Sequence, residues 1–220
     1  MNPMKPLQGY LAVPSTGTGQ GVLVLHAWWG LNDFFRSFCD RLAGEGFLVH
    51  APDMFSGTVF QTIADADHHI SEWNEEKEVP PIILPAVEGL NNRQAEKGRG
   101  LAIIGFSMGA YWASWLAIKK PELVRSVVLF YGSSGGGDFR GSKSSFLGHF
   151  AEKDPYESVE RVTEMEKDLK DAGRPVTFYT YPGTSHWFFE KDRPDAYNAP
   201  AAQLAWERTL AFLRSIKTKA

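Results

Sequence analysis

Cysteine is nearly absent: Cys39 is the single one in 220 residues. Intramolecular disulfides and thiolate metal clusters both need at least two thiols on one chain, so neither is available. Cys39 itself falls in an apparent amphipathic helix and reads as a small buried hydrophobe. The six histidines show no H-E-x-x-H or comparable ligand spacing, so no metal is expected, and no other motif asks for a cofactor. A basic surplus is also missing. Lys and Arg number 23 against 26 Asp and Glu, a formal charge of -3, which leaves nothing to hold a polyanion by counterion release. Nucleic acid is therefore not an expected partner. Long apolar runs are absent as well: residues 1–6 hold no signal-peptide core, and no run approaches the roughly 20 residues of a bilayer span. The expectation is a cytoplasmic protein with no membrane partner, a monomer or a small homo-oligomer.

What the chain does contain is an alternation of short apolar runs with helical patterns. Residues 21–26, 47–51, 100–105, 124–131 and 176–181 read as strands, with 144–150 a weaker one. Between them, Phe35, Phe38 and Leu42 recur at helical spacing behind Asn32 or Asp33 as cap. Residues 58–97 read as two helices broken at Val79-Pro80-Pro81, and 107–119 as a helix ended by Pro121. Val159, Val162, Met165 and Leu169 share a helical face, as do Trp206, Leu210, Leu213 and Ile216 in a closing helix from about Ala201. This order predicts an α/β fold, a doubly wound and mostly parallel sheet flanked by helices, in one domain over residues 1–220. Its ligand site is expected beyond the carboxyl ends of the strands. Ser133-Ser134-Gly135-Gly136-Gly137 reads as a mobile loop. Gly17 to Gly21 precedes a strand and cannot cradle a pyrophosphate, and the lysine of Gly141-Ser142-Lys143 is displaced from phosphate-loop spacing.

Gly105-Phe106-Ser107-Met108-Gly109 fits G-x-S-x-G and stands between a strand and a helix. A nucleophilic serine must project from a tight turn that has no room for side chains at the flanking glycines. The helix that follows aims its positive end at the place where an oxyanion develops. Serine is too weak an acid to attack unaided, so a base must take its proton and a third group must orient that base. On the α/β-hydrolase fold, whose elbow this motif resembles, the acid and the histidine follow the nucleophile in that order, each after a later strand. His186, between the last strand and the last helix, is the expected base. Asp154 follows the strand before that and is the chosen acid; Asp138, after the preceding strand, is the alternative, and Glu152 a third candidate. The backbone amides of Met108 and Trp28 are the expected oxyanion donors. Trp28, Trp29, Tyr131, Trp187 and Phe188 are the candidate walls of a substrate pocket.

Several of these segments together resemble the dienelactone hydrolase family over nearly the whole length: His26 to Asn32, Ala51-Pro52-Asp53-Met54, the elbow at Ser107, Tyr131-Gly132, residues 148–155 and residues 181–188. The resemblance implies a compact α/β-hydrolase without a large separate lid, acting on esters and lactones, and it supports Asp154 as the acid. Three positions depart from the dienelactone enzymes proper. Ser107 stands where those use a cysteine, Ala27 where they carry a glutamate, and Glu190 where an arginine grips the substrate carboxylate. An acidic side chain at 190 is expected to repel a carboxylate, and Lys191 and Arg193 lie at different spacing. The expected activity is cleavage of a small carboxylic ester or lactone through an acyl-enzyme, with an imidazole base whose protonation removes activity on the acid side. Amide or thioester chemistry by the same residues, and a noncatalytic binding protein on the same fold, are the alternatives.

Overall fold

A computed structural model describes residues 7–217; the reading of residues 1–6 as lacking a signal peptide lies outside the described residues. The chain divides into two compact units, residues 1–103 and 104–220.

In the first unit the apolar run forms β2 (Gln20–Leu25), buried at every position. It pairs in parallel with β3 (Phe47–Ala51), equally buried, with Val22 opposite Val49. Such strands carry apolar residues on both faces because helices cover both faces of a parallel sheet. A third strand, β1 (Tyr10–Ala12), runs antiparallel on the far edge of β3, so the order here is β1-β3-β2. Three residues are too few to show an alternating pattern, which is why no sequence signal marks it. Helix α1 (Asp33–Gly44) starts where Asn32 Oδ1 accepts the Phe35 amide, and it buries Phe35, Phe38, Cys39 and Leu42. Of the two sequence candidates, Asn32 is thus the cap.

The region 58–97 holds three helices instead of two: α2 (Ile63–Glu72), the single turn α3 (Glu75–Glu78) and α4 (Pro80–Asn91). Pro80 and Pro81 do not merely break the pattern. They open α4, at first-turn positions whose N–H groups would have no helical partner anyway. His26, fully buried, ties the loop after β2 to the loop after β3: its Nε2 accepts the Met54 amide and its Nδ1 donates to Ala27 O. Burial pushes its pKa down to about 4, which keeps the ring neutral for both bonds.

Strand β4 (Leu101–Phe106) leads into the second unit, where the strand order is β4-β5-β6-β7. Both β5 (Val124–Phe130) and β7 (Val176–Ser185) run parallel to β6 (Ser145–Lys153), which lies between them. The weak strand candidate at 144–150 is a full strand paired on both sides, and β6 and β7 both run past their apolar cores toward the candidate site. The helices are α5 (Met108–Lys119), α6 (Val159–Asp171) and α7 (Ala199–Lys217). His149, in β6, bonds through its two ring nitrogens to Tyr181 Oη in β7 and Thr209 Oγ1 in α7. Burial pushes its pKa down to about 3, so it serves as a neutral tie within the core. No helix of the described residues is long and apolar enough to cross a membrane, and no group of three or more His, Cys, Asp or Glu among them is arranged to hold a metal ion.

Candidate active site

Ser107 stands at the end of β4, one residue before α5, with φ 50° and ψ −115°. A non-glycine residue at positive φ costs free energy, and the surroundings must enforce it. Two glycines provide the space. A Cβ on Gly105 would collide with the Gly109 carbonyl, and one on Gly132 would strike the Ser107 carbonyl and lie 2.9 Å from Ser107 Cα. The Ser107 amide donates to Phe130 O of β5 at 2.9 Å, which fixes the turn from the other side. Gly132→Ala is therefore expected to cost about 1–3 kcal/mol of stability through overpacking. Displacing the serine by as little as 1 Å would cost on the order of 10²-fold in kcat. A thermal melt and an ester assay on the same preparation check both effects; wild-type kcat in this variant would show that the contact is not critical.

His186 follows β7 directly. Its Nε2 lies 2.9 Å from Ser107 Oγ, while its Nδ1 lies 2.8 and 2.7 Å from the two carboxylate oxygens of Asp154. With an ionised Asp154, Nδ1 must carry the proton, so Nε2 is the lone-pair side turned to the serine hydroxyl. The His186 and Asp154 side chains are 3% and 5% exposed, dry enough for the bonds to be strong and for water not to compete. Asp154 Oδ1 also accepts the amides of Tyr156 and Glu157, at 2.9 and 3.0 Å. These bonds fix the carboxylate in the loop after β6.

The other two acid candidates are engaged elsewhere. Asp138 is exposed and bonded to Arg140 at 2.7 Å, which pulls its pKa down to about 2. Glu152 Oε2 accepts the Gly183 amide at 3.0 Å on the exposed side of β7. The Ser133 to Gly137 loop, expected to be mobile, is tied down instead. Glu157 accepts both the amide and the hydroxyl of Ser133, at 2.7 and 2.8 Å, and Asp168 accepts the Gly137 amide at 2.9 Å. Glu157 is itself buried and bonded to Arg161.

The imidazole of His186 is enclosed by aromatic rings. Tyr131 and Tyr156 each lie at 5.0 Å between centroids and Trp187 at 4.9 Å. Tyr131 and Phe188 are fully buried, and Trp187 nearly so. Tyr156, 46% exposed, is the one ring of the three facing both the imidazole and solvent. No sequence pattern singled it out; its position two residues past the acid is the signal that would have found it. Among the described residues of this unit, Ser107, Tyr131 and Trp187 are the non-glycine residues with positive φ, so backbone strain collects around the histidine. Met108 begins α5, and its amide points out of that helix terminus. In the first unit, Trp28 and Trp29 sit edge to face at 5.5 Å in the loop after β2, Trp29 buried and Trp28 half-buried.

Glu190 corrects a sequence expectation. It is fully buried, accepts the Tyr131 hydroxyl at 2.7 Å, and has its pKa pushed up to about 8 by burial. Burial disfavours its charged form, and its carboxyl is engaged by Tyr131, so the repulsion expected of it is weakened.

A serine turn between strand and helix, followed by an acid and then a histidine after later strands of a mostly parallel sheet, defines an α/β-hydrolase. The chain belongs to the dienelactone hydrolase family, whose model matches residues 7–217, and it is a hydrolase of the carboxylic ester class. A protein of Aquifex aeolicus (strain VF5), provisionally named a carboxymethylenebutenolidase, is 31% identical over 95% of this chain and 93% of its own. A Bradyrhizobium protein, provisionally named a 2-oxo-3-(5-oxofuran-2-ylidene)propanoate lactonase, is 29% identical over 93% of this chain and 88% of its own. Among solved structures, a dienelactone hydrolase-like promiscuous phosphotriesterase from metagenomic libraries superposes with a TM-score of 0.80. It is 23% identical over 90% of this chain and 87% of that one, and so bears on the fold alone.

Proposed function

We propose that the chain is a cytoplasmic serine hydrolase that cleaves a small carboxylic ester or lactone in two steps, with Ser107 as nucleophile, His186 as base and Asp154 as the group that orients the base. The observation that carries this reading is the continuous line of hydrogen bonds from the Ser107 hydroxyl through both ring nitrogens of His186 to Asp154. Ser107 Oγ attacks the carbonyl carbon as its proton passes to His186 Nε2. The oxyanion that forms faces the Met108 amide and the positive end of α5. The tetrahedral intermediate then expels the alcohol oxygen, which takes the proton from Nε2, and leaves an acyl-serine. Water, deprotonated by the same nitrogen, attacks that ester; collapse of the second intermediate returns the proton to Ser107 Oγ and releases the acid. In a lactone the expelled oxygen stays tethered to the product, a hydroxy acid.

The aromatic enclosure of His186 supports a small apolar or aromatic substrate. One family match covers both units, which supports reading residues 1–220 as one hydrolase domain with a small-molecule substrate. A fluorophosphonate mimics the tetrahedral intermediate and reacts only with an activated serine. Incubation with it, followed by peptide mass spectrometry, is expected to place one phosphonyl group on Ser107. An unmodified Ser107 peptide after full exposure would refute the activated nucleophile.

A further inference from the structure

We propose that Glu190 is a positioning residue of the hydrolytic site: by accepting the hydrogen bond of Tyr131, it fixes the aromatic ring against which the His186 imidazole rests. The proposal rests on the reading of Ser107, His186 and Asp154 given above and deepens it.

Tyr131 and its neighbour Gly132 reach both halves of the serine–histidine pair. Its ring lies at 62° and 5.0 Å from His186, and the next residue, Gly132, packs on the Ser107 backbone. Tyr131 holds an uncommon backbone conformation, φ 37°, so something must hold its side chain in return. Phe188 walls the ring at 5.6 Å, and the bond to Glu190 Oε1 anchors its far end. Glu190 itself belongs to the turn that carries His186, where its amide donates to Trp187 O at 2.9 Å. The pair therefore ties the segment after β5 to the turn after β7, and with them the nucleophile to the base.

A stability role alone is a poor account of this carboxyl. Its Oε2 is buried with no hydrogen-bond partner, and such groups are costlier than a hydrophobe of the same volume. Burial raises its pKa to about 8; Asp192 adds to the shift, while the Tyr131 hydroxyl and Arg193 oppose it. Asp154 also faces Tyr131. The anchor is thus neutral at pH 7 and becomes charged as pH rises through about 8. Ionisation strengthens the bond from Tyr131 but leaves a charge in an apolar pocket, and the water it draws to Oε2 disturbs the packing of the turn that carries His186.

The test measures kcat and KM for a short nitrophenyl ester across neutral and alkaline pH, with thermal melts from mildly acidic to alkaline pH, for wild type, E190L, E190Q, Y131F and the double variant Y131F/E190L. E190L and Y131F are each expected to lose about tenfold in kcat with KM little changed, and the double variant no more than either, because the two act through one bond. E190Q keeps an uncharged acceptor. It is expected to restore kcat at pH 7 and to lack the alkaline decline expected of wild type near pH 8. The sign also shows in stability. An acid whose folded pKa is raised stabilises the folded state below its ordinary 4.5 and loses that contribution as pH rises through about 8, so wild type should melt progressively lower across this range and E190Q should not. Wild-type kcat in both E190L and Y131F, or an unchanged alkaline decline in E190Q, overturns the proposal. If E190L fails to fold, Y131F and E190Q still decide it. Turnover that survives S107A would instead overturn the underlying reading of the nucleophile.

Discussion

Replacing Ser107 with Ala is expected to lower kcat toward short nitrophenyl esters by roughly 10⁴–10⁶-fold, leaving only what oxyanion donors and binding supply. The loss is large because the variant removes the atom that forms the covalent bond, and no neighbour can substitute. Ser133, the nearest serine in the following loop segment, donates its hydroxyl to Glu157, away from any imidazole. The fold should be untouched. The Ser107 hydroxyl bonds to His186 and holds no part of the backbone, and the turn is held by backbone bonds and by the close approach of Gly132. Circular dichroism and a melt should therefore match wild type. Retention of more than a few per cent of kcat in a well-folded S107A preparation would end the serine mechanism.

The parts of this site that were legible in the sequence are those with a local signature. The elbow is written in adjacent residues: a Cβ at Gly105, two before the serine, would meet the Gly109 carbonyl two after it; the equally tight contact of Gly132 on the Ser107 backbone comes from a distant segment and left no local signal. The histidine was legible through chain order and through the strand before it. Chain order and family resemblance prefer Asp154 over Asp138 and Glu152, but each follows a plausible strand; distances in space separate them, with Asp154 alone of the three at hydrogen-bond range of His186. Strand ends were misjudged for a physical reason. The apolar pattern stops where β6 leaves the core, at the exposed Glu152 and Lys153, while backbone pairing continues to Lys153 opposite Ser185. Glu157 and Glu190 illustrate the remaining limit. Glu157 carries no motif, and Glu190 reads from the sequence as facing a substrate carboxylate; only burial against Ser133 and Tyr131 reveals them as struts.

Asp154→Asn is expected to reduce kcat about 10⁴-fold while the protein stays folded, and the hydrogen bonds around the carboxylate say why. Oδ1 of Asp154 accepts the Tyr156 and Glu157 amides, so an asparagine must turn its carbonyl oxygen to that side. Its NH₂ group then occupies the place of Oδ2, which lies 2.7 Å from His186 Nδ1. Two donors cannot face each other, so Nδ1 has to give up its proton and act as acceptor, and the proton moves to Nε2. In that tautomer Nε2 can no longer take a proton from Ser107, although every heavy atom stays close to its wild-type position. The variant should thus lose kcat and fluorophosphonate labelling in parallel, with KM little changed. Asp138→Asn, at an exposed aspartate paired with Arg140, should leave both within about twofold, as surface substitutions usually do. Equal losses in the two variants, or none in Asp154→Asn, would show that this aspartate does not orient the base.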